Sequence, residues 1–281
     1  MRALAELIMS GRWQASVMAL IGLPVLSPAA LALVTLRRGA QDGLWVLTAL
    51  VAPTFLWWVM GWSWWAYLLS TLLSSVLVYL AALMLRSTQK WPQMLLVISV
   101  VSVLSAWLLV NSLDFRADMM AMADRMEMGE IEKLEFSKLV DDLVERGVFP
   151  PAIALTVLVV VWTALLVGRW WQAQLYNPGG FREEFHSLRM EPKLVVISAV
   201  LGLVLMQAPE GGVGIIMMLF PLFVTGLGFV HWWVARKGFT PLLWVMYIGM
   251  LNPPWVQFIV VLVGLLDTAL DLRKRINANG A

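Results

Sequence analysis

Residues Trp91–Val110 read WPQMLLVISVVSVLSAWLLV, twenty positions without one ionisable side chain. A stretch of that length crosses the roughly 30 Å hydrocarbon layer of a bilayer as a helix, because lipid offers no partner to unpaired backbone N–H and C=O groups. Comparable stretches recur at Leu44–Met60, Trp62–Leu85, Pro150–Gly168, Leu194–Ala208 and Val213–Val234. The 281 residues are 60% hydrophobic and only 14% charged, a balance that excludes an ordinary water-soluble domain. Cysteine is absent, which excludes a disulfide framework, a thiolate metal site and a cysteine nucleophile.

The charges are split along the chain. Asn111–Phe149 holds ten Asp/Glu against five Lys/Arg, a net of −5, and the remainder has a net of +7. Lys and Arg stay on the cytoplasmic side of a membrane, so this split predicts topology. The basic residues stand at the ends of apolar runs rather than on one face, and no nucleic-acid partner is expected. Arg37, Arg38, Arg86 and Lys90 flank the outer ends of Leu44–Met60 and Trp62–Leu85, while Trp57, Trp58, Trp62, Trp64 and Trp65 crowd the turn at Gly61. Amphipathic indoles favour the membrane interface, so that turn is read as periplasmic.

Basic residues lie on both sides of the closing apolar stretch, Lys237 before it and Arg273, Lys274 and Arg275 after it. One span cannot have both flanks on the same side. Phe239–Leu251 and Pro254–Leu270 are therefore two helices that reverse at Asn252-Pro253-Pro254, where proline removes a donor and breaks the helix. The start follows the same logic: Arg2 and Arg12 precede the apolar run, Arg37 and Arg38 follow it, and Pro24 and Pro28 fall between. The reading is a helix to about Leu23, a turn and a short return helix; a single kinked span with an outside N-terminus is the alternative. A cleaved signal peptide would share Arg12 and the small residues Ala30-Leu31-Ala32, but Glu6 and the continuation to Leu36 count against it.

The expected fold is all-α, a polytopic membrane helix bundle of about eight spanning helices plus an N-terminal re-entrant helix pair and a periplasmic amphipathic segment. It forms one integral membrane domain over 1–281, multi-pass in a bacterial inner membrane, with both termini cytoplasmic and the lipid bilayer as its surroundings.

Within the acidic insertion 111–149, Phe115, Met119, Met122 and Met126 recur at helical spacing, as do Leu134 or Phe136, Leu139, Val140 and Leu143, with Gly129 between. Met119, Met120, Met122, Met126 and Met128 supply the soft sulfur that copper(I) selects. With no histidine or cysteine beside them, and on more than one face, packing is the better reading. The segment is a lid or a docking surface for a periplasmic protein partner. In the cytoplasmic loop 169–193, Asn177-Pro178-Gly179-Gly180 is a turn and Phe181–His186 a short interfacial helix. One exposed histidine there is a weak metal cue. No Walker, HExxH, GxSxG or Rossmann pattern occurs, so neither an enzyme nor a cofactor is expected.

Transporters commonly build sites where discontinuous helices meet, so the two proline-broken segments mark the expected solute site. Its candidate ligand-binding residues are Asn252 and Trp255 at the break, with His231, Asp267 and Arg273, because ionisable groups in apolar helices are functional candidates by default. A His231–Asp267 contact is within reach; pairing of each with Arg236 or Arg273 is the plainer alternative. Glu210 reads as a solvated loop acid. Gly202, Gly226 and Gly228 read as positions of close helix packing.

The closing run Gly264-Leu265-Leu266-Asp267-Thr268-Ala269-Leu270-Asp271-Leu272-Arg273-Lys274-Arg275 resembles the C-terminal signature of the YybS-like family of bacterial membrane proteins. Pro24 and Pro28, followed by Leu36-Arg37-Arg38-Gly39, are similar to that family's N-terminal pattern. The resemblance implies a fold akin to the substrate-binding subunits of energy-coupling-factor vitamin transporters, and it directs attention to Asp267 and Arg273. The Met-rich acidic insertion departs from the simplest family layout. The expected function is binding or transport of a small apolar or amphipathic solute or lipid; the alternative is a non-transporting scaffold for envelope partners.

Overall fold

The structure, a computed structural model, describes the chain apart from residues 22, 24, 61–64, 113–114, 208–211, 252–253 and 279–281. Among the described residues every regular element is helical. The N-terminal part contains α1 (Arg2–Ser10), α2 (Arg12–Leu20), α3 (Leu26–Arg38), α4 (Ala40–Val59), α5 (Trp65–Thr88) and α6 (Trp91–Ser112). The acidic insertion forms α7 (Phe115–Arg125) and α8 (Glu130–Glu145). Then come α9 (Phe149–Tyr176), α10 (Gly180–Ser187), α11 (Pro192–Leu205), α12 (Gly212–Lys237), α13 (Pro241–Gly249), α14 (Pro254–Leu270) and α15 (Leu272–Ala278).

Among the described residues four helices are long and apolar enough to cross a membrane: α5 over Thr71–Thr88, α6 over Trp91–Val110, α9 and α12. Trp255–Leu270 of α14 and the following α15 qualify together as a fifth, bent by 68°. The apolar parts of α4 (Ala40–Leu56) and α11 are shorter. The molecule is thus an all-helical bundle with four to five long apolar helices.

At its centre is α3, thirteen residues long. A helix that is apolar all round belongs in an interior, and Ala29, Ala30, Leu31, Ala32 and Leu33 have no exposure at all. It lies against α9 at Gly168, where a Cβ would come within 2.8 Å of the Ala32 Cβ and 3.1 Å of the Ala29 carbonyl oxygen.

The chain reverses between α2 and α3. Arg12, at the start of α2, and Arg38, at the end of α3, both reach Asp42, at 2.6 and 3.6 Å. At the inner turn the buried Ser27 hydroxyl donates to the Met18 carbonyl at 2.8 Å and accepts the Leu23 N–H at 3.0 Å. Those two bonds satisfy backbone groups that the interrupted helix leaves open, which a dry interior requires. Of the expected proline turn, Pro24 lies outside the described residues and Pro28 falls inside α3. The first helix is itself divided at Gly11, a break the sequence reading does not contain.

The C-terminal stretch is also two helices, α13 and α14. Gln257 donates from Nε2 to the Met250 carbonyl at 3.0 Å, and Met246 and Val260 share one apolar cluster with Leu227 of α12. α14 packs on α12 by backbone: a Cβ on Gly226 would meet the Val260 carbonyl oxygen at 1.9 Å, and one on Gly264 the Leu222 carbonyl oxygen at 2.1 Å. Gly202 likewise faces Gly214 O across α11 and α12, and Gly228 faces Phe185 O of α10. All three glycines singled out in the sequence stand at close helix crossings, as small residues do where helices cannot rely on water for their association.

One boundary is corrected. Arg169 does not end the fourth long helix; α9 continues through Trp170 and Trp171 to Tyr176, so 169–176 is helix rather than loop. Glu184 of α10 pairs with Arg169 there and so ties α10 to α9. In the acidic insertion α7 and α8 are tied by Arg116–Asp141 at 2.6 Å and Asp124–Lys133 at 3.0 Å. Gly129 donates its N–H to Glu132 at 3.1 Å and so opens α8.

Candidate functional site

The helix polarity gathers the ends of α3, α5, α9, α12 and α14 with α10, and most of the cations go with them. This is the basic end of the bundle; α7 and α8 join the opposite ends of α6 and α9. At the basic end Arg273 of α15 places its Nε 3.1 Å from Oδ2 of Asp267, which has no solvent exposure. The alignment is that of an ion pair rather than a hydrogen bond. The same guanidinium donates to the carbonyls of His186 and Leu188, the latter at 2.9 Å. Beside it Arg189 bonds the Asp271 carboxylate at 2.7 Å and the Thr268 carbonyl at 3.0 Å. Two arginines thus fasten the end of α14 to the segment between α10 and α11. The Arg189 hydrogen bond holds the Asp271 carboxyl below its ordinary value.

His231 goes elsewhere. Its Nε2 lies 2.7 Å from the Tyr247 hydroxyl of α13, in a hydrogen bond whose direction follows the imidazole tautomer. Phe185 meets the ring edge-on at 5.3 Å. Together with His186 and Arg182, His231 lines a cavity of about 390 Å³ against Thr240 and Leu243. The structure therefore joins Asp267 to Arg273, as the plainer sequence reading has it, and gives His231 neither Asp267 nor Arg236 but a tyrosine.

Trp255 opens α14 at the far end and is 61% exposed. It stands at the edge of a larger groove of about 780 Å³ between α9, α12 and α14, walled by Leu155, Val159, Leu219, Phe220, Phe223 and Phe258. The groove's lining is almost wholly apolar, with the Gln257 side chain as its polar member. Asn252, the other residue assigned to the break, lies outside the described residues, as does Glu210. The two proline-broken segments do not meet as principal neighbours among the described residues. α2 and α3 pack on α4, α5 and α9, whereas α14 packs on α12. The groove beside Trp255 is accordingly made with α9 and α12 and not with the N-terminal hairpin.

Sequence reading does not find Phe220, Phe223 and Phe258. Their common signal is an aromatic side chain on an apolar helix, which lipid-facing and pocket-lining positions share. No family model, no curated protein and no solved structure matches the chain.

Proposed function

We propose that this is a multi-pass protein of the bacterial inner membrane that binds, and carries within the membrane, a small apolar or amphipathic solute. One observation carries the reading: the groove of about 780 Å³ beside Trp255, walled by apolar side chains of three helices. Its volume falls in the roughly 300–1,000 Å³ range of small-molecule sites, whose linings are mainly apolar with a few polar groups.

About eight helices enter or cross the membrane in this arrangement: α4, α5, α6, α9, α11, α12, α13 and α14. The nine residues of α13 span about 14 Å and reach only part way. The gathering of Arg37, Arg86, Arg169, Arg236 and Lys237 at one end supports a cytoplasmic face there, with both tails beside it and α7–α8 in the periplasm. The YybS-like resemblance of 264–275 agrees with a solute-binding membrane domain.

Native mass spectrometry of gently extracted protein tests the groove. The unmodified protein retains a small molecule or lipid, and Leu219→Trp, which fills the groove, releases it. Equal retention by both proteins contradicts the proposal.

The scaffold reading rests on α8, where Ile131 and Leu134 are 77% and 57% exposed. Deleting residues 114–146 cripples a scaffold and leaves ligand retention in the groove unchanged.

A further inference from the structure

The basic end holds a second, smaller cavity of about 370 Å³, where the ends of α3, α5 and α9 meet α6 and α10. Arg37, Arg86 and Arg169 line it with Gln89, Gln172 and a single carboxylate, Glu184. Glu184 is already committed. It takes the Nε of Arg169 at 2.9 Å and a second bond from the same guanidinium, and it accepts the indole N–H of Trp91 at 3.3 Å.

The other two arginines have no acid beside them among the described residues. Arg37 lies over the Tyr176 ring at 4.1 Å, and Arg86 donates to the Leu36 carbonyl at 2.7 Å. Neither contact supplies a counter-charge. The acid nearest to Arg37 in sequence, Asp42, is held by Arg12 and Arg38. The cavity therefore carries a surplus of two positive charges, with amide groups from Gln89 and Gln172 on its wall.

We infer that this cavity is a binding site for a phosphate-bearing anion. Guanidinium forks match phosphate oxygens in pairs, and two of them converging on one partly enclosed space leave a place that only an anion neutralises. The volume is at the small end of ligand sites and suits a phosphorylated head rather than an acyl chain. Basic pockets between membrane helices on the cytoplasmic side receive the headgroups of anionic phospholipids, and a free phosphate ester offers the same chemistry. The site is distinct from the groove, lying about three turns of α9 beyond Val159.

The test uses the full chain in neutral detergent. Short-chain phosphatidylglycerol, short-chain phosphatidylcholine and inorganic phosphate are titrated separately at fixed ionic strength, with binding read by native mass spectrometry and thermal shift. Arg37→Gln, which removes a charge from an exposed side chain, and Arg86→Gln each weaken the anion by about tenfold or more, the effect of one charge-assisted hydrogen bond. Arg37→Lys restores part of it, and Arg146→Gln at the acidic end changes nothing. Selective binding of phosphatidylglycerol over phosphatidylcholine identifies a lipid headgroup; protection by inorganic phosphate without lipid selectivity identifies a soluble ester. Both outcomes uphold the anion site. Arg37→Gln and Arg86→Gln proteins that bind both anions like the unmodified protein, or a phosphate effect matched by chloride, overturn it.

Discussion

Arg273 folds back across the 68° bend between α14 and α15 to stand 3.1 Å from Asp267, and the carboxylate it meets is wholly buried. The same side chain holds the carbonyls of His186 and Leu188, so one guanidinium joins three chain segments. Removing one partner of a buried pair leaves an uncompensated charge, whereas removing both does not. Arg273→Ala is therefore expected to destabilise the protein by about 3–5 kcal/mol. Asp267→Asn costs less, and the double substitution recovers part of the loss. Thermal unfolding in detergent measures all three. An Arg273→Ala protein that unfolds with the midpoint of the unmodified chain contradicts the role given to the pair.

The crossing of α12 and α14 admits no side chain at either glycine. Gly226→Ala and Gly264→Ala each drive a methyl group into a backbone carbonyl, at 1.9 and 2.1 Å, which no rotamer change relieves. The cost is expected at the upper end of overpacking, about 3 kcal/mol. Gly212→Ala, whose Cβ meets Pro151 at an ordinary 3.4 Å, serves as the neutral control. Protease accessibility of the segment after α14 reports whether the helix has separated.

Acidification should loosen the basic end. Burial first, and then Arg182, His231 and Arg273, hold the His186 imidazole below its ordinary value of 6.5. A base lowered in the fold binds fewer protons there than in the unfolded chain, so stability rises with pH through the window below 6.5 and falls on acidification. Asp271 acts lower down: its value is depressed, so its contribution is present above 3.8 and lost only as pH falls through the lower folded value. The unfolding midpoint should thus decline as pH falls below 6.5, and His186→Gln should flatten that decline. Parallel curves for the two proteins contradict the assignment to His186.

Ser27 closes the N-terminal hairpin from inside. Ser27→Ala leaves the Met18 carbonyl and the Leu23 N–H without their side-chain partner. The expected loss is about 1–3 kcal/mol, the cost of unsatisfied buried polar groups. Hydrogen exchange over residues 18–27 should rise with it. Unchanged exchange would mean that the turn is held by other contacts.

Charge placement made the early reversal legible. Arg12 precedes the early prolines and Arg38 follows them, and the structure brings both to Asp42. Lys237 and Arg273 flank the late ones in the same way, where α13 and α14 are separate helices and the break at 252–253 lies outside the described residues. Small residues also spoke clearly: Gly226 and Gly228 stand where backbones touch. The burial of α3 was not legible, because lipid and protein interior are equally apolar and hydropathy does not separate the buried Leu31 from a leucine facing acyl chains. Arg169 looked like a helix end because its partner, Glu184, is fifteen residues away on another helix. The Tyr247 partner of His231 was hidden for the same reason. The groove at Trp255 depends on how α9, α12 and α14 splay, a property of packing rather than of any local pattern.

The chain has no cysteine, so single cysteines report sidedness without interference. In spheroplasts treated with a membrane-impermeant maleimide, Lys138→Cys on α8 should label, whereas Ala3→Cys, Glu183→Cys and Ala278→Cys should label only after lysis. Labelling of Ala3→Cys or Ala278→Cys in intact spheroplasts would place a tail outside and contradict the account.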